Sequence, residues 1–241
     1  EILPDENGKC RAVITSTGEE IACGFIGITV GVSPNIGFLK GAVLEMNRGI
    51  LVNEYLETNL PDVYAIGDCA ELRQPNPGRR PIEAIWYTGR IMGKVVGQNI
   101  TGMREKYDPG IWFNSAKFLD IEYQVYGDVR PAWPETQTSL YWEHPSGKKS
   151  IRLIYNTNTE AIVGFNLMGV RYRQEVCEKW IKSGTPIEDV LQNLGLANFD
   201  PEFFEEYESY LILIYNQKTG KNLKLKQKRG LSAALRFLQK A

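Results

Sequence analysis

The sequence predicts an α/β segment followed by an α+β domain, and three patterns predict it. "CGFIGITVGV" (23–32) is almost continuously apolar, which suits a strand buried on both faces. "RRPIEAIWYTGRIMGKVVGQNITG" (79–102) places Ile82, Ile85, Trp86, Met92, Val96 and Ile100 about three or four residues apart, as a helix with one buried face requires. From Ile111 onward the chain alternates apolar and polar residues and then turns to grouped helical segments. Antiparallel strands apart from helices make an α+β domain.

Taken in order, "KCRAVITSTGEEIACGFIGITVGVSPN" (9–35) reads as a hairpin around "STGEE", followed by the apolar strand and a Gly/Pro break. "RGILVNEYLETNLPDVYAIGD" (48–68) gives a short strand at 50–52, a polar turn through Thr58–Asp62 and a buried strand at 63–66. The next helix takes Pro81 in its first turn and Gly102 as its stop. Gly89, Gly93 and Gly97 share one face of it. Three such glycines cost about 3 kcal/mol of helix propensity, so a close backbone approach to a sheet or a flat ligand is expected to offset them.

Further on, "SAKFLDIEYQVYGDV" (115–129), "TSLYWEH" (138–144) and "KSIRLIYNTNTEAIVGFNLMG" (149–169) read as antiparallel strands with one wet face. "RYRQEVCEKWIKSG" (171–184) is a helix ending on glycine. "TPIEDVLQNLG" (185–195) is a second, with Thr185 and Glu188 as a capping box and Gly195 as its stop. "DPEFFEEYESYLILIYNQKTG" (200–220) is a third, opened by Asp200 and Pro201. Residues 218–241 carry Lys and Arg without an acidic residue, a solvated tail or a patch for an acidic partner.

Composition excludes several classes. With 241 residues, net charge -1 and 43% hydrophobic residues, the chain is an ordinary globular one with no overall basicity for nucleic acid. No apolar stretch is long enough to span a bilayer, so a cytoplasmic protein without membrane association is expected. Cys10, Cys23, Cys69 and Cys177 show no metal-like spacing and are expected as reduced thiols. The chain opens on Glu1 in strand-like material, as a piece of a longer protein would.

The sharpest local signal is "DVYAIGDCAEL" (62–72), where an apolar run stops on Gly67 and Asp68. A glycine there lets a ligand close to the backbone, and the carboxylate beyond it can accept hydrogen bonds from sugar hydroxyls. The surrounding pieces, over about residues 10–195, resemble the flavin-dependent pyridine nucleotide–disulfide oxidoreductases. The branch is that of NADH oxidases, coenzyme A-disulfide reductases and ferredoxin or rubredoxin reductases. "GITVGVSPN" resembles the close of the family's NAD(P) domain. "GILVNEYLETNLPDVYAIGDCAE" resembles its second FAD signature, and "IWYTGRIMGKVVGQNITG" the helix that follows. "SAKFLDIEYQVYG" and "AIVGFNLMG" are similar to its interface domain.

The resemblance implies a division into four parts. Residues 1–34 would end the NAD(P)-binding domain and 35–109 would form the C-terminal part of the FAD-binding domain. Residues 110–195 would be an α+β interface (dimerisation) domain, and 196–241 a helical, basic extension. The fold is thus an α/β remnant of the FAD/NAD(P)-binding domains followed by that interface domain. As cofactor-binding residues the resemblance implies Gly67 for clearance and Asp68 for the ribityl chain of FAD, with Trp86, Tyr87 and Thr88 beside the flavin ring. The start of that helix would stabilise charge on reduced flavin.

Departures from the family pattern matter as much. No Gly-x-Gly-x-x-Gly occurs, so neither dinucleotide loop lies within these residues. "GLANFDPEFFEEY" (195–207) has no histidine where disulfide reductases carry one, and His144, the sole histidine, sits in a strand–turn context. Without that imidazole a thiol–disulfide step lacks its acid-base partner. The reading that follows is the C-terminal portion of a homodimeric flavoprotein passing electrons from NAD(P)H through FAD to an unidentified acceptor, a carrier protein among the candidates. This chain alone would be inactive, with no catalytic residue or metal site of its own. The alternative is a non-catalytic dimerisation or partner-docking module. Tyr123–Tyr126 and Tyr141–Trp142 are the expected apolar area for a homodimer.

Overall fold

In a computed structural model, residues 1–132, 134–200, 202, 203 and 205–226 are described. They form two compact units, Glu1–Asn35 and the chain from Ile36 onward.

The first unit is a three-stranded antiparallel sheet of β1 (Ile2–Pro4), β2 (Cys10–Ile14) and β3 (Glu20–Ala22). Asp5 Oδ1 accepts from the N–H groups of Asn7 and Lys9, both at 2.8 Å, and so fixes the β1–β2 turn. The apolar run 23–32 forms no strand, contrary to expectation, and Phe25, Ile28, Val30 and Val32 are exposed. A strand buried on both faces needs neighbours along both edges and layers above and below. A unit of three short strands supplies neither.

In the second unit β4 (Ile50–Val52) pairs in parallel with β5 (Ala70–Leu72), Ile50 opposite Ala70. Helix α1 (Trp86–Ile100) lies against them, burying Met92, Val95 and Val96 with Val52, Leu56 and Ala70. Residues 63–66, expected as a strand, make only an isolated bridge, Glu57 with Tyr64. Leu56 and Asp62 take positive φ (66° and 60°), doubling the chain back on itself so that Ala65 N–H bonds the Leu56 carbonyl at 3.2 Å. The parallel partner of β4 is therefore the segment after Gly67-Asp68 rather than the one before it. Helix α1 also begins later than Pro81, since residues 79–85 are held in an irregular segment described below.

Strands β6 (Phe113–Phe118), β7 (Ile121–Gly127), β8 (Gln137–Glu143), β9 (Ser150–Asn156) and β10 (Ile162–Met168) form an antiparallel sheet in the order β6-β7-β10-β9-β8. Alternate residues such as Leu140, Ile151, Leu153 and Phe165 are fully buried. They share one core with Cys177 and Trp180 of α2 (Gln174–Lys182), Val190 of α3 (Ile187–Gln192) and Leu211 of α4 (Glu208–Thr219).

Two further helix starts differ from the expected ones. Pro186 rather than Thr185 caps α3, with no side-chain cap, and the Thr185 hydroxyl meets Ser183 Oγ at 2.8 Å instead. Helix α4 starts at Glu208 with Tyr207 at its cap, eight residues after Asp200. Tyr207 stacks on Trp142 at 4.5 Å between ring centroids, so aromatic packing fixes the entry rather than an acidic cap. After Gly220 the first residues of the basic tail lie back on α3. Lys221 pairs with Glu188 at 2.5 Å, and Lys226 N–H bonds the Gln192 carbonyl at 3.1 Å. The remainder of the tail, 227–241, falls outside the described residues. No helix among them is long and apolar enough to cross a membrane.

Candidate functional site

Gly67, Asp68 and Cys69 form a single 3-10 turn directly before β5. Gly67 has φ +73°, a region costly for a residue with a Cβ, and no atom lies within 4 Å of where a Cβ would stand. Its N–H donates to Met92 Sδ of α1 at 3.2 Å. A Cβ on Gly89 would meet Gly67 Cα at 3.6 Å, so the turn rests on the first half of α1. Asp68 is exposed, and no hydrogen bond to its carboxylate is formed among the described residues. A turn of this kind leaves one acceptor group free beside a backbone open to approach.

The three helix residues fare differently. Trp86 is 68% exposed, with the Arg90 guanidinium 5.5 Å from its ring. Tyr87 is half-buried. Its hydroxyl pairs with Ser115 Oγ at 2.6 Å and its ring meets Phe113 at 4.3 Å, tying the helix start to β6. Thr88 is turned inward and buried, its hydroxyl bonding the carbonyls of Glu83 and Ile85, both at 3.0 Å. Its side chain is committed to the helix start, leaving the N–H for anything beyond. The first N–H groups of an α-helix have no partner within it, and those of α1 belong to these three residues.

What holds that helix start in place was not singled out from the sequence. Arg79 and Glu83 form a buried two-point ion pair, Nε to Oε1 at 2.7 Å and Nη2 to Oε2 at 2.5 Å. Arg79 Nη1 also donates to the Gly110 carbonyl at 2.8 Å, and the guanidinium lies 5.5 Å from the Trp112 ring. One side chain thus joins the segment before α1 to the segment entering β6. The signal available was the Arg-x-x-x-Glu spacing in "RRPIE" (79–83). Tyr107 packs beside them, and burial foremost, then the Glu83 charge, pushes its phenol up to about 12. Glu71 on β5 accepts from Gly49 N–H at 2.8 Å and from Asn47 Nδ2 at 3.0 Å, a buried carboxylate used to seat β4.

The glycine face of α1 differs from its expectation. Near Gly93 a Cβ would find only Ile66 Cδ1 at 3.9 Å, and near Gly97 nothing within 4 Å. No backbone among the described residues approaches closely enough to require either glycine. A depression of about 330 Å³ opens on the neighbouring loop, lined by Glu57–Leu60, Asp62 and Tyr64.

Residues 1–92 match the pyridine nucleotide-disulphide oxidoreductase family. This part of the chain belongs to that family. An NAD(P)H coenzyme A polysulfide/persulfide reductase of Pyrococcus horikoshii is 30% identical over 176 residues, 67% of this chain and 39% of that protein. An NADH oxidase of Enterococcus faecalis is 30% identical over 190 residues, 70% of this chain and 40% of its own. An NAD-dependent persulfide reductase structure from A. fulgidus superposes with a TM-score of 0.67 at 24% identity, covering 91% of this chain and 44% of that one. That likeness shows the fold. The chain spans about two-fifths of the length of the curated relatives it matches.

Proposed function

We propose that this chain contributes the Gly67–Asp68 turn and the α1 start to the flavin site of an FAD-dependent NAD(P)H oxidoreductase. The observation that carries the reading is the pairing of an open, glycine-cleared carboxylate with the helix start on which it rests. Asp68 would accept hydrogen bonds from ribityl hydroxyls, and Gly67 would let them approach. Trp86, with its exposed indole, and Tyr87, held by Ser115, would flank the ring. Thr88 would serve through its N–H, since its hydroxyl is already used. Bound FAD supplies the two-electron chemistry; this chain positions it and offers N–H dipoles to the charge that develops.

In this reading residues 1–34 end the nucleotide domain, 35–109 complete the flavin domain, and 110–195 form the interface domain, with α4 of the 196–241 extension sharing its core. Electrons pass to a small acceptor or to a carrier protein; relatives named NADH oxidase and NADH-rubredoxin oxidoreductase are consistent with either. The intact protein acts as a homodimer.

The test is flavin content of the natural full-length protein, read from its visible absorbance. Wild type is expected to purify yellow, and Asp68→Ala to lose most of its flavin while keeping its circular dichroism. A colourless wild-type protein that gains no absorbance with added FAD overturns the assignment. So does an Asp68→Ala variant with full flavin content.

A further inference from the structure

Two of the four cysteines lie far apart in sequence and together in space. Cys10 and Cys23 are both half-buried, and their sulfurs are 3.7 Å apart. Cys10 Sγ also meets the Cys23 carbonyl oxygen at 3.3 Å. A regular ladder would not allow this. The β2–β3 register pairs Ala12 with Ala22 and Val13 with Ile21, which places Arg11, not Cys10, opposite Cys23. Side chains one residue out of register point to opposite faces of a sheet. Two irregularities remove that obstacle. The β1–β2 register slips between Leu3 and Pro4, opposite Ala12 and Cys10, so Arg11 is a bulged extra residue and Cys10 is re-aimed. On the other side β3 ends at Ala22, and Cys23 keeps one backbone bond, N–H to the Arg11 carbonyl at 3.0 Å, before the chain bends at Gly24.

We propose that Cys10 and Cys23 are a reversible dithiol site that undergoes thiol–disulfide exchange with low-molecular-weight disulfides. One thiolate attacks a sulfur of the small disulfide, forming a mixed disulfide and releasing one small thiol. The second cysteine then attacks the protein sulfur of that mixed disulfide, closing the Cys10–Cys23 bond and releasing the second small thiol. The protein dithiol loses two electrons and two protons, and the small disulfide gains both. Closing the gap needs an approach of under 2 Å to reach the ~2.05 Å of an S–S bond, within the reach of side-chain rotation. Loss of solvent, and then the neighbouring Cys23, raise the Cys10 thiol above its ordinary range, which slows the attack at neutral pH without changing its end point. Cys177 offers no comparable site, being fully buried in the core beneath the five-stranded sheet.

The experiment incubates the full chain, folded, with oxidised glutathione at increasing ratio to reduced glutathione, traps free thiols by alkylation, and maps peptides by mass. The expected result is a Cys10–Cys23 cross-linked peptide, lighter by two hydrogens than its parts, that dithiothreitol abolishes, with Cys69 and Cys177 alkylated. Cys10→Ser is expected to leave Cys23 as a glutathione adduct at most. Separate alkylation or separate glutathione adducts at Cys10 and Cys23 in the wild type, even at the most oxidising ratio, overturn the proposal. Cross-links between chains, or to Cys69, overturn it as well.

Discussion

Arg79 shows how much one side chain can decide in this protein. Its guanidinium and the Glu83 carboxylate have 7% and 5% of their side-chain surface exposed, so each is the other's replacement for water. Removing one partner strands the other as a buried charge, a loss of about 3–5 kcal/mol, whereas removing both with apolar residues costs much less. Arg79→Met and Glu83→Leu are therefore each expected to lower the urea-derived stability by that amount, and Arg79→Met/Glu83→Leu by distinctly less than the two combined. Additive losses would show that the pair acts as two independent contacts. The sequence displays both residues, but the Pro between them favours reading 79–102 as one helix with Pro81 in its first turn. Only the Gly110 carbonyl and Trp112, some thirty residues on, reveal the segment as a clamp. That the apolar run stops at Gly67 was legible because a turn is a local feature, and Gly67 does take a positive φ there. Thr88's inward hydroxyl was not, since it depends on where the chain before α1 goes.

Among the elements, those whose hydrogen bonds are local or between neighbours matched their sequence patterns best. Strands β6 through β10 and helix α2 follow the alternation and the three-to-four spacing closely. Apolar runs without such a pattern did not: 23–32 and 63–66 are not strands, because strand formation depends on edges that composition does not specify. Helix α1 carries the instructive case. Its glycines suggested a close neighbour, yet Gly97 faces open space and Gly93 makes an ordinary contact. With helical φ and no obstruction, Gly97→Ala is expected to stabilise the protein by up to about 1 kcal/mol, through propensity alone. A shift of the urea midpoint to higher concentration at unchanged slope checks it. Destabilisation would mean that a neighbour absent from this chain's own contacts presses on that face.

For the whole molecule the aromatic strands were expected to supply apolar area for a second copy, and here burial redistributes the candidates. Tyr126 and Trp142 belong to the core, 3% and 7% exposed, and contribute nothing to an outer face. Tyr141 of β8 stays 39% exposed, and the most exposed apolar residues beside this sheet sit at the β6–β7 turn. Phe118 is 64% exposed and Leu119 94%, and Phe118 stacks on Tyr123 at 5.9 Å. Leu119 holds φ +50°, an uncommon place for a leucine, where a glycine or asparagine would turn more easily. Exposed apolar residues at a strained turn are costly to a monomer, and burial against a partner offsets that cost. The proposed homodimer therefore predicts sedimentation of the chain as a dimer at micromolar concentration, and Phe118→Ser/Leu119→Asp as a monomer with unchanged circular dichroism. A stable interface buries about 800 Å² on each side, so the two substitutions act at the centre of the contact or not at all. If the wild type sediments as a monomer, the dimer fails; if the double variant stays dimeric, the association uses another face.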